Sequence, residues 1–220
     1  MNLEQARTNM VEQQIRPWDV LDQDVLDLLY VVPREQFVPE RYKDLAFSDL
    51  EIPLEDGKKG SQRMWMPKME ARVLQELMVR KTDRVLEVGT GSGYLTALLA
   101  HRASQVHSVE IDEKLAAMGR RNLERNGADN AKLYIGDAAH GWSAHAPYDV
   151  IVLTGSTPLL PRSLLDELSV GGRLFAVAGE APAMAARLYT CTAPGAYSHT
   201  DLFETVIAPL ANAEHPPRLA

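Results

Sequence analysis

A glycine-rich turn and three acidic residues form the part of this sequence that could do chemistry. The turn spans residues 85–94 and contains three glycines at alternate positions, Gly89, Gly91 and Gly93. Glycine adopts positive φ angles at little cost and lets a backbone approach a ligand closely. Glu87 precedes the first glycine, while Glu110 and Asp137 follow later in the chain. Carboxylates accept hydrogen bonds, so this set could bind the amino and hydroxyl groups of a small molecule.

Several known glycine-rich motifs do not fit the turn. The dinucleotide fingerprint requires a third glycine where this chain has Tyr94, and a phosphate-binding loop requires a Gly-Lys-Ser/Thr ending that is absent. A nucleophile elbow requires glycines two residues before and two residues after its serine, and around Ser92 those positions hold Thr90 and Tyr94. The remaining pattern, E-x-G-x-G-x-G, resembles the first motif of the class I S-adenosylmethionine-dependent methyltransferases. A structural turn without a ligand is the alternative.

That resemblance implies S-adenosylmethionine as the cofactor. Glu87 would meet its methionine ammonium group, directly or through water, and Glu110, at the end of a strand, would accept from both ribose hydroxyls. Asp137 would accept from the adenine amino group. The alternatives are a solvated acid at a strand end for Glu110 and a helix N-cap for Asp137. The cofactor-binding set is completed by the neighbours Gly89, Thr90, Gly91, Gly93, Ile111 and Ala138.

Short β-branched runs alternate with helical segments from residue 83 onward. The predicted strands are Arg84–Val88, Gln105–Ile111, Ala131–Ile135, Tyr148–Thr154 and Arg173–Val177, with two more near Ala186–Cys191 and Asp201–Ile207. The predicted helices between them are Gly93–Arg102, Glu113–Asn126 and Pro161–Leu168. This alternation predicts an α/β fold with a mostly parallel central sheet and helices on both faces. Ligands of such sheets bind beyond the carboxyl ends of the strands.

Residues 1–80 read instead as a helical and irregular N-terminal extension. The predicted helices are Leu3–Ile15, Asp22–Val31 with Asp22 as its N-cap, and Pro67–Val79, and residues 44–66 form a long loop. The expected organisation is therefore an N-terminal region (1–80) packed on a Rossmann-like domain (81–210), followed by a tail (211–220).

Composition excludes several broad classes of function. The 220 residues carry a formal net charge of −7 and no basic tract, so nucleic acid is not an expected partner. No apolar run suits a signal peptide or a membrane span. Cys191 is the sole cysteine, which fits a reducing, cytoplasmic location. The six histidines lack metal-ligand spacing, so no metal is expected, although His140 and His145 could be cleft residues.

Residues 20–210 resemble the protein-L-isoaspartate O-methyltransferase family. The segments that carry the likeness are 32–39 (VPREQFVP), 46–49 (AFSD), 52–54 (IPL), the turn 85–94, Gly136-Asp137, the strand 148–154, 170–174 (VGGRL) and Pro209-Leu210. The resemblance implies the class I methyltransferase fold and methyl transfer to the free carboxylate of isoaspartyl residues in damaged proteins. The ester then closes to a succinimide that can reopen to aspartate. A carboxylate is already ionised at neutral pH, so the reaction needs alignment more than a catalytic base.

The acceptor side is where the sequence departs from this family. Ser61 matches a serine that touches cofactor and substrate, and it is the candidate catalytic residue. Around it, Lys59, Gly60 and Arg63 replace threonine, isoleucine and proline, and Ala138 replaces a glycine. Two alternatives therefore remain: the same chemistry on another acceptor, or a cofactor-binding module without catalysis. Oligomeric state and the role of residues 1–20 are open.

Overall fold

The computed structural model describes residues 2–55 and 62–216 and is built around one seven-stranded sheet. Its strands are β1 (Arg84–Val88), β2 (Gln105–Glu110), β3 (Ala131–Ile135), β4 (Tyr148–Leu153), β5 (Leu168–Glu180), β6 (Ala183–Ala193) and β7 (Ala196–Glu204). Their spatial order is β3-β2-β1-β4-β5-β6-β7. The pairs from β3 to β5 are parallel, whereas β6 and β7 are antiparallel additions. The predicted mostly parallel sheet is confirmed.

The connections leave a crevice at the carboxyl end of β1. The chain passes from β1 to β2 and β3 on one side, then returns to place β4 on the other side of β1. Neighbouring loops therefore leave the sheet in opposite directions above β1 and β4. Such a switch point is where open parallel sheets bind ligands.

The central strands are apolar on both faces. Val85, Val150 and Phe175 pack into one buried cluster, while Leu86 and Ile151 pack into another. Strand side chains alternate between faces, so consecutive residues join opposite layers. This double burial explains the continuous apolar runs of the sequence, which are typical of parallel strands covered on both sides.

Six α-helices accompany the sheet within the described residues. They are α1 (Leu3–Met10), α2 (Gln23–Val31), α3 (Pro67–Leu77), α4 (Tyr94–Arg102), α5 (Glu113–Arg125) and α6 (Arg162–Asp166). Asp22 caps α2 as the sequence predicts, accepting from the amides of Asp24 and Val25. Asp112 caps α5 in the same way. Helices α2 to α5 contribute to the first apolar cluster, and α6 contributes Leu164 to the second, so helices cover both faces.

Several predicted boundaries are wrong. Helix α1 continues as a π-helical turn from Val11 to Ile15, and α6 stops at Asp166 because Leu168 already pairs with Tyr148 in the sheet. The last three strands are longer than predicted because hairpin pairing extends them. The predicted loop 44–66 contains a short antiparallel ladder, Ile52–Pro53 with Arg63–Met64. Contacts between parts of the chain that are distant in sequence decide these helix and strand boundaries, and local sequence patterns do not contain such contacts.

A fully buried arginine joins the N-terminal region to the rest of the fold. The Arg34 guanidinium is 1% exposed and contacts the Glu70 carboxylate of α3. It also donates to the carbonyl oxygens of Ala46, at 2.8 Å, and Trp65. Its Cζ lies 5.0 Å from the centre of the Tyr94 ring at the start of α4. Burial raises the pKa of Glu70, and the Arg34 charge opposes that rise.

None of the helices in the described part of the chain combines the length and apolarity that a membrane span requires.

Replacing Arg34 with methionine should cost about 3–5 kcal/mol of unfolding free energy, because Glu70 would remain as a buried, unpaired carboxylate. Urea denaturation measures this loss. The matched control is Arg16→Met, which removes the exposed ion pair with Glu12 and should cost less than about 1 kcal/mol. Equal losses in the two variants would contradict the role given to Arg34.

Candidate active site

One cavity opens at the carboxyl ends of β1, β2 and β4, where the switch point predicts it. Its empty volume is about 990 Å³, which includes open solvent at the mouth. Residues 87–92, 109–111 and 136–139 form one side of it. Residues 51, 54, 62–65 and 70 form the other side, and 154–155 and 207–211 complete the rim. The cavity therefore lies between the N-terminal region and the sheet.

The backbone of the glycine-rich turn adopts the left-handed conformation at two of its glycines. Gly89 has φ +97° and Gly91 has φ +52°. A Cβ on Gly89 would overlap the Thr154 hydroxyl at the end of β4. That hydroxyl lies 2.8 Å from the Val88 carbonyl oxygen and 2.9 Å from that of Gly89, so it ties β4 to the turn. Because Gly89 has no side chain, the backbone can turn here and the Thr154 hydroxyl can approach the turn closely enough to bond to it.

Glu87 lines the cavity, and one of its carboxylate oxygens is unpaired among the described residues. Its side chain is fully buried, and Oε2 accepts from the Ser108 hydroxyl at 2.6 Å and from the Thr96 hydroxyl. Oε1 is buried without a hydrogen-bond partner among the described residues. Burial raises the pKa of Glu87 to about 8, against the lowering effect of those two hydroxyls. A cationic donor entering the cavity would satisfy Oε1 and stabilise the charged form.

Glu110 is fixed at the end of β2 by two backbone amides. Oε2 accepts from Gly91 at 2.9 Å, and Oε1 accepts from Asp112 at 3.0 Å. The side chain is 5% exposed and lines the cavity. Each carboxylate oxygen has a second lone pair. A vicinal diol could therefore bind to both oxygens without displacing the amides.

Asp137 lies on the cavity wall after β3 and contacts the C-terminal segment. Its Oδ1 accepts from the Ala139 amide at 2.9 Å, and its Oδ2 accepts from the Asn212 side-chain amide at 2.8 Å. The alternative of a helix N-cap is wrong, because no helix follows within residues 138–142. Asp137 is exposed, and its carboxylate retains lone pairs for another donor.

The other predicted cofactor residues divide into two groups. Thr90, Ile111 and Ala138 line the cavity, but Gly93 is not among its lining residues. A Cβ at Gly93 would lie 3.1 Å from the carbonyl oxygen of Gly119 in α5, and φ is +84°. Gly93 therefore serves the close packing of α4 against α5 rather than direct contact at the cavity.

The acceptor side can be described only in part. Ser61, Lys59 and Gly60 lie outside the described residues, so the prediction for Ser61 stays a prediction. Leu54 and Trp65 are buried on this wall, and the Leu54 amide donates to the Gln62 carbonyl oxygen at 2.9 Å. Across the mouth, Leu210 packs against Gly155, whose missing side chain leaves room for it. These apolar groups exclude water from one end of the cavity.

The histidines with a possible cleft position do not line the cavity. His140 contacts the Asn212 carbonyl oxygen at 3.2 Å, and the His145 ring stacks on His107 with centroids 4.2 Å apart. Within the described residues, no group of three or more His, Cys, Asp or Glu side chains is placed to hold a metal ion.

Sequence reasoning missed the groups that support the acids. Thr154 and Glu70 line the cavity, whereas Ser108 and Thr96 lie behind Glu87 and donate to it, and only the fold brings these four residues together. Ser108 carries the clearest signal, because strand alternation places this polar residue on the same face of β2 as Glu110. Arg34 lies within the family-like segment 32–39, but nothing in that segment shows that its partner is Glu70.

Comparisons with known proteins agree with this geometry. The family model "Protein-L-isoaspartate(D-aspartate) O-methyltransferase (PCMT)" matches residues 5–215. This chain belongs to that family. A protein-L-isoaspartate O-methyltransferase of Methanoculleus marisnigri is 42% identical over 173 residues, which cover 79% of this chain and 77% of the relative. One from Syntrophobacter fumaroxidans is 37% identical over 202 residues and covers 92% of both chains.

Solved structures confirm the fold of the family. One described as a protein-L-isoaspartate O-methyltransferase superposes with a TM-score of 0.82 at 24% identity, covering 94% of this chain and 66% of that one, just under two thirds. A Plasmodium falciparum protein with the same description, in complex with S-adenosyl-L-homocysteine, gives 0.79 at 21% identity and covers 93% and 98%. The predicted Rossmann-like class I methyltransferase fold is thus confirmed.

The residues of this family member fit S-adenosylmethionine. The decisive observation is that Glu87 lines the cavity beside the glycine turn, and that its buried Oε1 has no hydrogen-bond partner among the described residues. An ammonium group supplies a matching donor, and Glu110 and Asp137 provide further acceptors along the same wall.

Gly89→Ala should destabilise the protein by more than about 2 kcal/mol, since the Cβ meets both an unfavourable φ and the Thr154 hydroxyl. Chemical denaturation measures the loss. Gly127→Ala is the matched control, because Gly127 has φ +67° and nothing within 4 Å of a Cβ. A loss no greater than that of the control would show that the overlap with Thr154 is unimportant.

Glu87→Gln should weaken S-adenosylhomocysteine binding about ten-fold or more, because the neutral amide has no charge to pair with the ammonium group. Calorimetry measures this change. The control is Glu124→Gln, at an exposed position of α5. Unchanged affinity in Glu87→Gln would exclude Glu87 as the ammonium partner.

The same variant should alter the pH dependence of stability. The raised pKa of Glu87 means that the folded protein binds its proton more tightly than the unfolded chain. The stability contribution is therefore present below the unfolded value of 4.5 and is lost as pH rises through about 8. The ligand-free variant should lose less unfolding free energy between these pH values than the wild type.

Proposed function

We propose that this chain transfers the methyl group of S-adenosylmethionine to the free carboxylate of L-isoaspartyl residues in damaged proteins, which initiates their repair. The observation that carries the proposal is the position of the cavity. The family match spans residues 5–215, and its N-terminal and sheet parts meet at this one site. Residues 1–80 would supply the acceptor side and residues 81–210 the cofactor side.

The cofactor side holds its ligand through three acceptors at the ends of successive strands. Glu87 accepts from the ammonium group, Glu110 from the ribose hydroxyls and Asp137 from the adenine amino group. When bound, S-adenosylmethionine supplies a methyl group activated by its sulfonium. The turn around Gly89 and Gly91 leaves backbone rather than side chains beside the ligand.

On the acceptor side, the residues bind and align a carboxylate that is already ionised at neutral pH. The apolar side chains of Trp65 and Leu54 form the wall at this end of the cavity and keep water away from it. Holding the carboxylate in line is worth several kcal/mol, so no general base is required. Ser61 would orient the acceptor carboxylate through its hydroxyl.

A second candidate is the same methyl transfer to another carboxylate. The replacements at Lys59, Gly60 and Arg63 favour it, because they change the acceptor side while the acids of the cofactor side are retained. A cytoplasmic location and the absence of nucleic-acid and membrane partners remain predictions from composition.

The direct test is methyl transfer to a short isoaspartyl peptide, with its aspartyl twin as the control. We expect turnover of the isoaspartyl peptide at least about 100-fold above that of the twin, since only the former offers its carboxylate in the required position. Glu87→Gln at low cofactor concentration should reduce the rate. Binding of S-adenosylhomocysteine without turnover of either peptide would contradict the isoaspartyl acceptor.

A further inference from the structure

The cavity has an unusual distribution of charge. Five acidic side chains line it: Glu51, Glu70, Glu87, Glu110 and Asp137. Within the part of the chain that the structure describes, Arg63 is the one basic residue of the lining. Glu70 is paired with Arg34 and burial raises the pKa of Glu87, but Glu110 and Asp137 would still disfavour an acceptor carboxylate unless a cation received it. The chain offers that cation at the acceptor end of the cavity.

The backbone that carries Arg63 is held in place on both sides. Arg63 pairs with Pro53 in the short antiparallel ladder, and the following residue, Met64, is 4% exposed in the core. The next carbonyl oxygen, that of Trp65, accepts from the buried Arg34 guanidinium. The strand is therefore anchored, while the Arg63 side chain itself is exposed at the mouth.

Among the described residues, the Arg63 guanidinium makes neither an ion pair within 4.0 Å nor a side-chain hydrogen bond. Its charge acts on Glu51, whose pKa is raised by burial despite the opposing effect of Arg63. Its five N–H groups are thus available, in a planar fork that matches a carboxylate.

We propose that Arg63 binds the acceptor carboxylate and is a specificity-determining residue of this chain. The proposal rests on the proposed function and extends it, because it assigns anion recognition to a position where the family-like segment would have proline. Arg63 acts in binding, since methyl transfer itself consumes no proton from it. The methionine carboxylate of the cofactor has the same chemistry, so the experiment must separate the two sources.

The test compares wild type, Arg63→Gln and Arg63→Lys, with Arg125→Gln at the exposed end of α5 as the matched control. Calorimetry gives the affinity of each protein for S-adenosylhomocysteine, and then that of its complex for an isoaspartyl peptide. Steady-state methyl transfer gives KM and kcat for the same peptide.

We expect Arg63→Gln to raise the peptide dissociation constant and KM about ten-fold or more, with kcat within about two-fold and cofactor affinity unchanged. Arg63→Lys should give a peptide dissociation constant and a KM between those of wild type and Arg63→Gln, because lysine keeps the positive charge but lacks the planar fork of N–H groups. The control should match wild type.

An unchanged peptide affinity in Arg63→Gln would overturn the proposal, as would a loss confined to cofactor affinity. Peptide binding that depends on Arg63 without turnover would support it while contradicting the proposed function. No peptide binding by the wild-type complex would overturn both.

Discussion

The fold depends on the complete burial of the Arg34 guanidinium. A charge without solvent must find all of its partners inside the protein, because leaving any of them unmet costs several kcal/mol. Here the partners are the Glu70 carboxylate of α3 and the carbonyl oxygens of Ala46 and Trp65. These groups come from three separate parts of the N-terminal region. One interaction therefore fixes the wall that faces the sheet across the cavity.

The opposite wall depends on backbone geometry rather than on an ion pair. Parallel β1 and β4 end side by side, and the Thr154 hydroxyl ties them where Gly89 lacks a side chain. The turn then brings the Gly91 amide to Glu110 on β2. Arg173 performs a related task at the other end of the sheet, where it contacts Asp83 and the carbonyl oxygen of Leu77. Contacts within the protein thus hold the described parts of both walls in place.

The electrostatics of the cavity follow from these two walls. The acids beside the turn suit a ligand rich in donors, and Glu87 remains costly to ionise until a cation meets its free oxygen. An anionic acceptor needs the opposite environment, which the sheet side does not provide. The N-terminal region supplies it through Arg63. Because the sheet side carries the acids and the N-terminal region carries Arg63, one small cavity can hold ligands of different charge.

The sequence alone determined the alternation of strands and helices, the N-cap at Asp22, the glycine turn and the three acids, because these depend on local periodicity and on residue type. The resemblance to the family also came from contiguous motifs. Only the tertiary structure decided the lengths of β5 to β7, the early end of α6 and the packing role of Gly93, since partners distant in sequence set them. It likewise decided that Ser108 and Thr96 meet Glu87, and that Arg34 meets Glu70. The energy of a buried polar group depends on which partners surround it, and a single sequence does not specify those neighbours locally.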